Sequence, residues 1–165
     1  MKPDEKDLLI KEMMTRIPYG LIVATKPASP DYDLPFSGKH KVETVYIRND
    51  GKYIFCFERS AYSSHEVDNI KPYLRSFSSM TEEEDHEFAL LQTDFYKNGW
   101  LYPMVAANLI TWLLKHRIDY NGLIEKGLAL EAPFDMYKEV VDVKQSPLET
   151  FQRVNEFEVD SSYRN

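Results

Sequence analysis

The chain has little cysteine: Cys56 is the only one among 165 residues. A single cysteine excludes an intramolecular disulfide framework. Cys56 lies in the apolar run 53–57, so we expect a buried and inert thiol. A catalytic thiol would need a neighbouring base and partial exposure, and the local sequence indicates neither.

Long hydrophobic runs are also missing. No stretch approaches the roughly 18 apolar residues that a membrane-spanning helix requires. The first residues, MKPDEKDLL, lack the apolar segment of a secretory signal peptide. From these two absences we expect a cytoplasmic protein without a membrane partner.

Positive charge is the minority charge. The chain has 20 Lys and Arg against 27 Asp and Glu, a net charge of -7. This balance disfavours binding to nucleic acid. Lys71 and Arg75 form no basic groove with other residues, because the acidic run Glu82–Glu87 follows them closely. Nucleic acid is therefore an unfavoured partner.

Specific catalytic and cofactor motifs are absent as well. The sequence contains no GxGxxG, no Walker A motif, no GxSxG, no CxxC and no HExxH. The acidic run Glu82–Glu87 lacks the alternating ligands and the glycine of a calcium loop. We therefore assign no catalytic, cofactor-binding or metal-binding residue and expect no cofactor.

Two of the four histidines leave an alternative open. His86 follows Glu82 by four residues on one helix face, which fits half of a metal site or an exposed side-chain pair. His116 precedes Asp119, which fits an acid/base pair or a histidine placed favourably at a helix C-terminus. His40 and His65 stand isolated in the sequence.

The first half of the chain has the pattern of one helix followed by strands. We predict a helix over Asp4–Ile17, capped by Asp4 and stopped by Pro18. Asp50-Gly51 between two β-like runs predicts a hairpin with a type I′ turn. The predicted strands are Gly20–Lys26, Lys41–Arg48, Tyr53–Arg59 and a short Glu66–Ile70 ended by Pro72, with a long loop at Pro27–Lys39. The extended segment Lys71–Arg75 is predicted as the last piece of the sheet. These strands predict a small antiparallel sheet, SH3-like or similarly coiled.

The second half has the pattern of helices. Thr81 and Glu84 have capping-box spacing and predict a helix start. Its apolar stripe is Phe88, Leu91 and Phe95, and Asn98-Gly99 ends it. Pro103 opens the apolar helix Met104–Arg117, whose wide stripe predicts a central helix between the two halves.

Shorter elements are predicted near the C-terminus. Asp119 is expected to cap a short helical turn over Asn121–Lys126, ended by Gly127. A short strand is predicted within Leu128–Ala132, another at Glu139–Val143, and a short helix at Pro147–Val154. The sequence thus predicts an α+β protein with an N-terminal helix and sheet over 1–76, a helical half over 77–137 sharing the same core, and an extension over 138–165.

Seven aromatic residues fall at loop positions, several of them beside proline or glycine. Such side chains either anchor a protein partner or plug the ends of a small barrel. They are Tyr19, Tyr32, Phe36, Tyr62, Tyr73, Tyr102 and Tyr120.

Three segments carry a resemblance to a known group of proteins. They are KPYLR at 71–75, SSMTEEE at 78–84 and IDYNGLIEKGLALEA at 118–132, with Met136-Tyr137 after them. Over roughly 8–137 the chain resembles a family of small hypothetical proteins of gut-type bacteria, their phages and integrated elements. The resemblance implies an intracellular, phage-related accessory protein and carries over no site residue.

The sequence favours a non-enzymatic protein-interaction module whose partner is another protein. The reasons are the absence of catalytic motifs, the loop aromatics and a small sheet with free edges. The alternative is a small metal-dependent or acid/base hydrolase that uses His86 or His116 with nearby carboxylates.

Overall fold

A computed structural model describes residues 1–26, 36–58, 64–98 and 103–137 of the chain. The chain divides into two compact units, Met1–Pro133 and Phe134–Asn165. Within the second unit the described residues, 134–137, form a turn. The strand predicted at Glu139–Val143 and the helix predicted at Pro147–Val154 lie outside the described residues.

The described elements give an α+β fold, as predicted. In the part of the chain that is described, no helix has the length and apolarity needed to cross a bilayer. The helices are α1 (Pro3–Arg16), α2 (Glu82–Asn98) and α3 (Pro103–Lys115). The strands are β1 (Ile22–Thr25), β2 (Ser37–Ile47), β3 (Tyr53–Phe57), β4 (Ser64–Glu66), β5 (Ile70–Leu74) and β6 (Leu130–Glu131).

The sheet is mixed, whereas the sequence predicted an antiparallel one. Its six strands run in the order β4-β3-β2-β1-β5-β6, and four of the five pairings are antiparallel. The fifth pairing, between β5 and β6, is parallel. Parallel neighbours need a long crossover, and α2 and α3 lie in the chain between these two strands. The SH3-like form of the sheet stays a prediction.

The β2–β3 hairpin is confirmed, but its turn differs from the predicted one. Arg48 N–H donates to the Lys52 carbonyl, and Gly51 N–H donates to the Arg48 carbonyl. The loop therefore has three residues, and only Gly51 among them has a positive φ, of 81°. A type I′ turn needs positive φ at two consecutive positions, so that prediction was wrong.

The prediction that Pro72 ends a strand was wrong, whereas the extended segment predicted at Lys71–Arg75 is confirmed, because it forms most of β5. Residues 67–69 form a 3-10 turn, and β5 begins after it and runs through Pro72. Pro72 pairs with Val23 of β1. Asn69, three residues before Pro72, accepts a hydrogen bond at its carbonyl from the Lys26 N–H. Because hydrogen-bonded pairs alternate along an antiparallel ladder, the Pro72 position needs no N–H toward β1.

Helix α1 begins earlier than predicted. Its N-cap is Lys2, with Pro3 as the first helical residue, so the predicted cap at Asp4 was wrong. The Glu5 carboxylate accepts a hydrogen bond from the Lys2 backbone N–H at 3.0 Å. Leu9, Ile10 and Met13 form the buried side of the helix.

The main hydrophobic core lies between α1 and the sheet. Side chains of α1, of the four strands β1, β2, β3 and β5, and of the connecting residues Leu21 and Val67 meet there. Leu123, Leu128 and Ala129 join them from the segment before β6. No residue of α2 or α3 belongs to this cluster. The prediction that the Met104–Arg117 helix is central to the core was therefore wrong.

A second, smaller cluster joins the two C-terminal helices. Trp112, Leu113 and Ile118 are buried in it. Half-buried residues, among them Phe88 and Leu91 of α2, pack against them. The predicted stripe of α2 thus faces inward, although no residue of α2 is fully buried.

The segment after α3 is held by Asp119. Its two carboxylate oxygens accept backbone hydrogen bonds from Leu123 at 2.8 Å and Ile124 at 2.7 Å. Asp119 was predicted to cap a short helix, but residues 120–127 form turns, so its carboxylate binds the amides of a turn instead. These turns place Leu123 and Leu128 in the main core.

Candidate functional site

An ion pair between Arg75 and Glu84 joins the end of β5 to the start of α2. The guanidinium donates from Nη1 to Oε1 at 2.8 Å and from Nη2 to Oε2 at 2.7 Å. Glu84 also accepts the Thr81 N–H at 2.8 Å, while Thr81 Oγ1 accepts the Glu84 N–H at 3.2 Å. The predicted capping box is therefore confirmed, and it presents its carboxylate to Arg75.

His116 at the end of α3 completes this cluster. Its Nδ1 lies 3.0 Å from Glu84 Oε1, and its ring stacks on Trp112 at a centroid distance of 4.1 Å. The carboxylate that pairs with His116 is thus Glu84 and not Asp119, whose oxygens bond backbone amides. We call the set Arg75, Glu84, Trp112 and His116 the clasp.

The electrostatics of the clasp favour an ionised carboxylate. The hydrogen bonds from Arg75, and then those from Thr81 and His116, lower the pKa of Glu84 from 4.5 to about 2. Partial burial acts in the opposite direction and is outweighed. Because Glu84 at the start of α2 contacts both Arg75 after β5 and His116 after α3, it links three elements and acts as a structural connection.

His86 does not form half of a metal site, which was one of the two interpretations that the sequence left open. It lies exposed on α2, as does Glu82. Among the described residues, no group of three or more histidine, cysteine or acidic side chains could hold a metal ion.

A buried polar cluster lies beneath α1, and the sequence did not predict it. Arg16 pairs with Glu12 and donates from Nη2 to the Ile118 carbonyl at 3.0 Å. Asn121 Nδ2 donates to Glu12 Oε1 at 2.8 Å, and the Tyr120 hydroxyl donates to the same oxygen at 3.3 Å. Burial, and then the Glu12 charge, raises the pKa of Tyr120. The cluster ties α1 to the segment after α3.

Two histidines flank Phe57 on the sheet. The ring centroids of His40 and His65 lie 5.3 Å and 5.5 Å from that of Phe57. Burial, and then the proximity of His40, lowers the pKa of His65. Cys56, next in the chain, is half-buried and not fully buried as predicted.

The loop aromatics are only partly described. Tyr32, Tyr62 and Tyr102 lie outside the described residues. Tyr19, Phe36, Tyr73 and Tyr120 are all half-buried. Lys71 Nζ lies 4.9 Å from the centre of the Phe36 ring, a cation–π contact.

An open groove of about 380 Å³ runs between α1 and β3. It is lined by Asp7, Ile10, Lys11, Met14, Thr15 and Tyr53. The hydroxyl of Thr15 donates to the Glu12 carbonyl at 3.0 Å, so it is not free to act as a nucleophile. The groove offers neither a histidine nor a cysteine for catalysis.

The most unusual surface lies on α3. This helix has nine apolar residues among thirteen, yet only Trp112 and Leu113 are buried. Met104 is 76% exposed and Ile110 is 49% exposed. Ala107 and Thr111 are exposed too, and Leu114 is half-buried. We call Met104, Ala107, Ile110, Thr111 and Leu114 the outer face of α3.

The outer face carries no charged side chain, unlike the outer surface of α2. Helix α2 has six acidic residues and one lysine, and its Leu90, 59% exposed, stands among them. The exposure of the outer face was not predicted from the sequence, because an apolar stripe on a helix normally marks the side that packs against the core. The available signal was its width, since apolar residues surround most of α3.

No family model, no curated protein and no solved structure matches the chain.

Proposed function

We propose that the protein is a non-enzymatic protein-interaction module, located in the cytoplasm, whose contact surface is the outer face of α3. The observation that carries this proposal is the exposure of Met104 and Ile110 on a helix without acidic residues. Exposed apolar side chains are ordinary when scattered singly, whereas a contiguous group marks an interaction site.

Helical spacing supports the contiguity of this surface. Met104, Ala107, Thr111 and Leu114 follow one another at intervals of three, four and three residues. Residues spaced in this way lie on one side of a helix, as at the contact positions of a coiled coil. The stripe extends over about 15 Å of helix, which suits another helix laid along it.

Contacts near the C-terminal end of α3 support the proposal that this helix is held rigidly. His116, one residue beyond α3, pairs with Glu84, and Arg75 holds the same carboxylate. Trp112, on the opposite side of the helix from the outer face, stacks on Phe88 at 5.3 Å. A helix fixed at its C-terminal end presents its outer face without a large ordering cost on binding.

A lysate capture experiment tests the proposal. The wild-type protein and a Met104→Glu/Ile110→Glu variant serve as baits, and retained proteins are identified by mass spectrometry. Leu90→Glu is the matched control, because the exposure of Leu90, 59%, lies between those of Met104 and Ile110 and the residue belongs to α2. We expect specific proteins on the wild type and on the control, and their loss from the double variant. Identical sets on all three baits would refute the role of α3.

A second candidate is an acid/base hydrolase that uses His116. The pairing of His116 Nδ1 with Glu84 favours it, because a carboxylate can orient an imidazole for proton transfer. Hydrolysis of p-nitrophenyl esters and phosphates by the wild type and by His116→Gln decides between the two functions. Turnover that disappears in His116→Gln would support the hydrolase, and equal background rates would exclude it for these substrates.

A further inference from the structure

We infer that the outer face of α3 binds the same face of a second copy of this chain, so that two α3 helices pair antiparallel in a homodimer. This inference rests on the proposed function, because it names the partner of that same surface. It is carried by the order of side chains along the stripe and by the distribution of charge.

The order of side chains is self-complementary under a twofold axis. When two α3 helices run antiparallel with the axis beside residue 109, Met104 of each copy faces Leu114 of the other. Ala107 then faces Thr111 in the same way. Ile110 of each copy lies beside this row and faces Asn108 of the other. Within the row itself, the large Met104 and Leu114 meet at the ends and the small Ala107 and Thr111 in the middle, where the two backbones can approach closely. A closed dimer requires such an isologous surface, in which each contact occurs twice.

The charges allow this pairing on α3 and oppose it on the other two helices. Helix α1 has four acidic residues and α2 has six, in a protein whose net charge is -7. Helix α3 has none, and its single charged residue is Lys115 at the C-terminal end. Two copies can therefore approach along α3 without bringing carboxylates of that helix together. Antiparallel helices also align their dipoles favourably.

The expected dimer is weak and reversible. Stable complexes usually bury about 1,200–2,000 Å² in total, and one pair of short helices buries less than that. We therefore expect a dissociation constant of about 1–100 µM. Such a dimer forms only at high local protein concentration.

Sedimentation equilibrium of the full chain tests the inference over a protein concentration range of about 1–500 µM. We expect the mass to rise from 19.4 kDa toward twice that value. Ala107→Glu should stay at the lower mass, since it places a carboxylate in the middle of the contact. A circular dichroism melt checks that this variant folds, and its exposed position predicts an unchanged melting temperature.

A mixing experiment tests the antiparallel register. Ala107→Lys and Thr111→Glu should each be monomeric alone and dimerise when mixed, because the introduced lysine faces the introduced glutamate once per heterodimer. A wild type that stays at 19.4 kDa throughout, or an Ala107→Glu variant that dimerises equally, overturns the inference. If the wild type is monomeric but lysate capture still depends on Met104 and Ile110, the dimer is wrong and the proposed function stands. If both effects are absent, both proposals fail.

Discussion

Arg75 and Glu84 hold each other through two parallel hydrogen bonds of 2.8 Å and 2.7 Å. The pair joins the first residue after β5 to the first turn of α2, and His116 at the end of α3 shares the same carboxylate. A planar guanidinium matches a carboxylate in this geometry far better than a lysine would. The junction between the sheet and the helices is therefore fixed by side chains as well as by the backbone.

Removing the guanidinium should loosen this junction in a pH-dependent way. We expect Arg75→Met to lower the free energy of unfolding by about 1–3 kcal/mol at pH 7, because it removes charge-assisted hydrogen bonds. The pKa of Glu84 is about 2 in the folded protein against 4.5 for the free group. Its contribution is thus complete above pH 4.5 and is lost as the pH falls through about 2.

Urea unfolding at pH 7, 5 and 3 measures the effect. The gap between wild type and Arg75→Met should narrow from pH 5 to pH 3. Arg48→Met is the matched control, because Arg48 pairs with Asp50 and Glu66 on the exposed hairpin. Exposed pairs contribute little, so the control should change the urea midpoint less. An equal change in both variants would contradict a special role for the clasp.

Removing only one member of the buried ion pair between Glu12 and Arg16 should lower the free energy of unfolding more than removing both. In Glu12→Leu, the Arg16 guanidinium stays buried without a countercharge, and we expect a loss of about 3–5 kcal/mol. In Glu12→Leu/Arg16→Met both charges are gone, and most of the stability should return. Urea midpoints of the three proteins measure this. A double variant no more stable than Glu12→Leu would show that the arginine is not the cause.

His65 should make the protein less stable in mild acid. The pKa of His65 is lowered by burial and by His40, so the folded state favours the neutral ring. The unfolded state binds a proton more readily, and stability therefore falls as the pH drops below 6.5 until it passes the lowered pKa. We expect the melting temperature to fall between pH 8 and pH 5.5, with a smaller fall in His65→Gln. An unchanged slope in that variant would assign the effect elsewhere.

Substitutions of Gly51 in the hairpin loop test whether its positive φ is needed for stability. Its φ of 81° disfavours any residue with a Cβ, although the space around it is open. We expect Gly51→Ala to cost about 1–2 kcal/mol in unfolding free energy, from the left-handed conformation alone. Gly51→Asn should cost less, because asparagine tolerates this region. If both variants cost the same in thermal melts, conformational strain is not the reason.

Local chemistry explains which elements could be predicted from the sequence. The Thr81–Glu84 capping box, the Asp50-Gly51 hairpin and the Asp119 cap each rest on a few neighbouring residues, and each is found near its predicted place. The parallel β5–β6 pairing could not be predicted, because it joins residues more than fifty positions apart. No signal in the neighbouring sequence indicates which edge strand a two-residue strand will pair with.

The candidate site was harder to predict for the same physical reason. The partner of His116 comes from the start of another helix, 32 residues away, whereas the sequence offered the nearby Asp119. The apolar stripe of α3 was taken for core because hydrophobicity alone does not show whether a surface meets its own chain or another one.

The central claim is that another protein chain covers the outer face of α3 in the cell. Photo-crosslinking tests it most directly, with p-benzoylphenylalanine in place of Met104, a large and 76% exposed side chain at the end of the stripe, and, as reference, at the exposed His86 of α2. We predict a discrete adduct from position 104 and none from position 86. Its mass shows whether the partner is a second 19.4 kDa copy or a different protein. No adduct from position 104, under conditions in which the probe is incorporated and the protein is folded, would contradict the account.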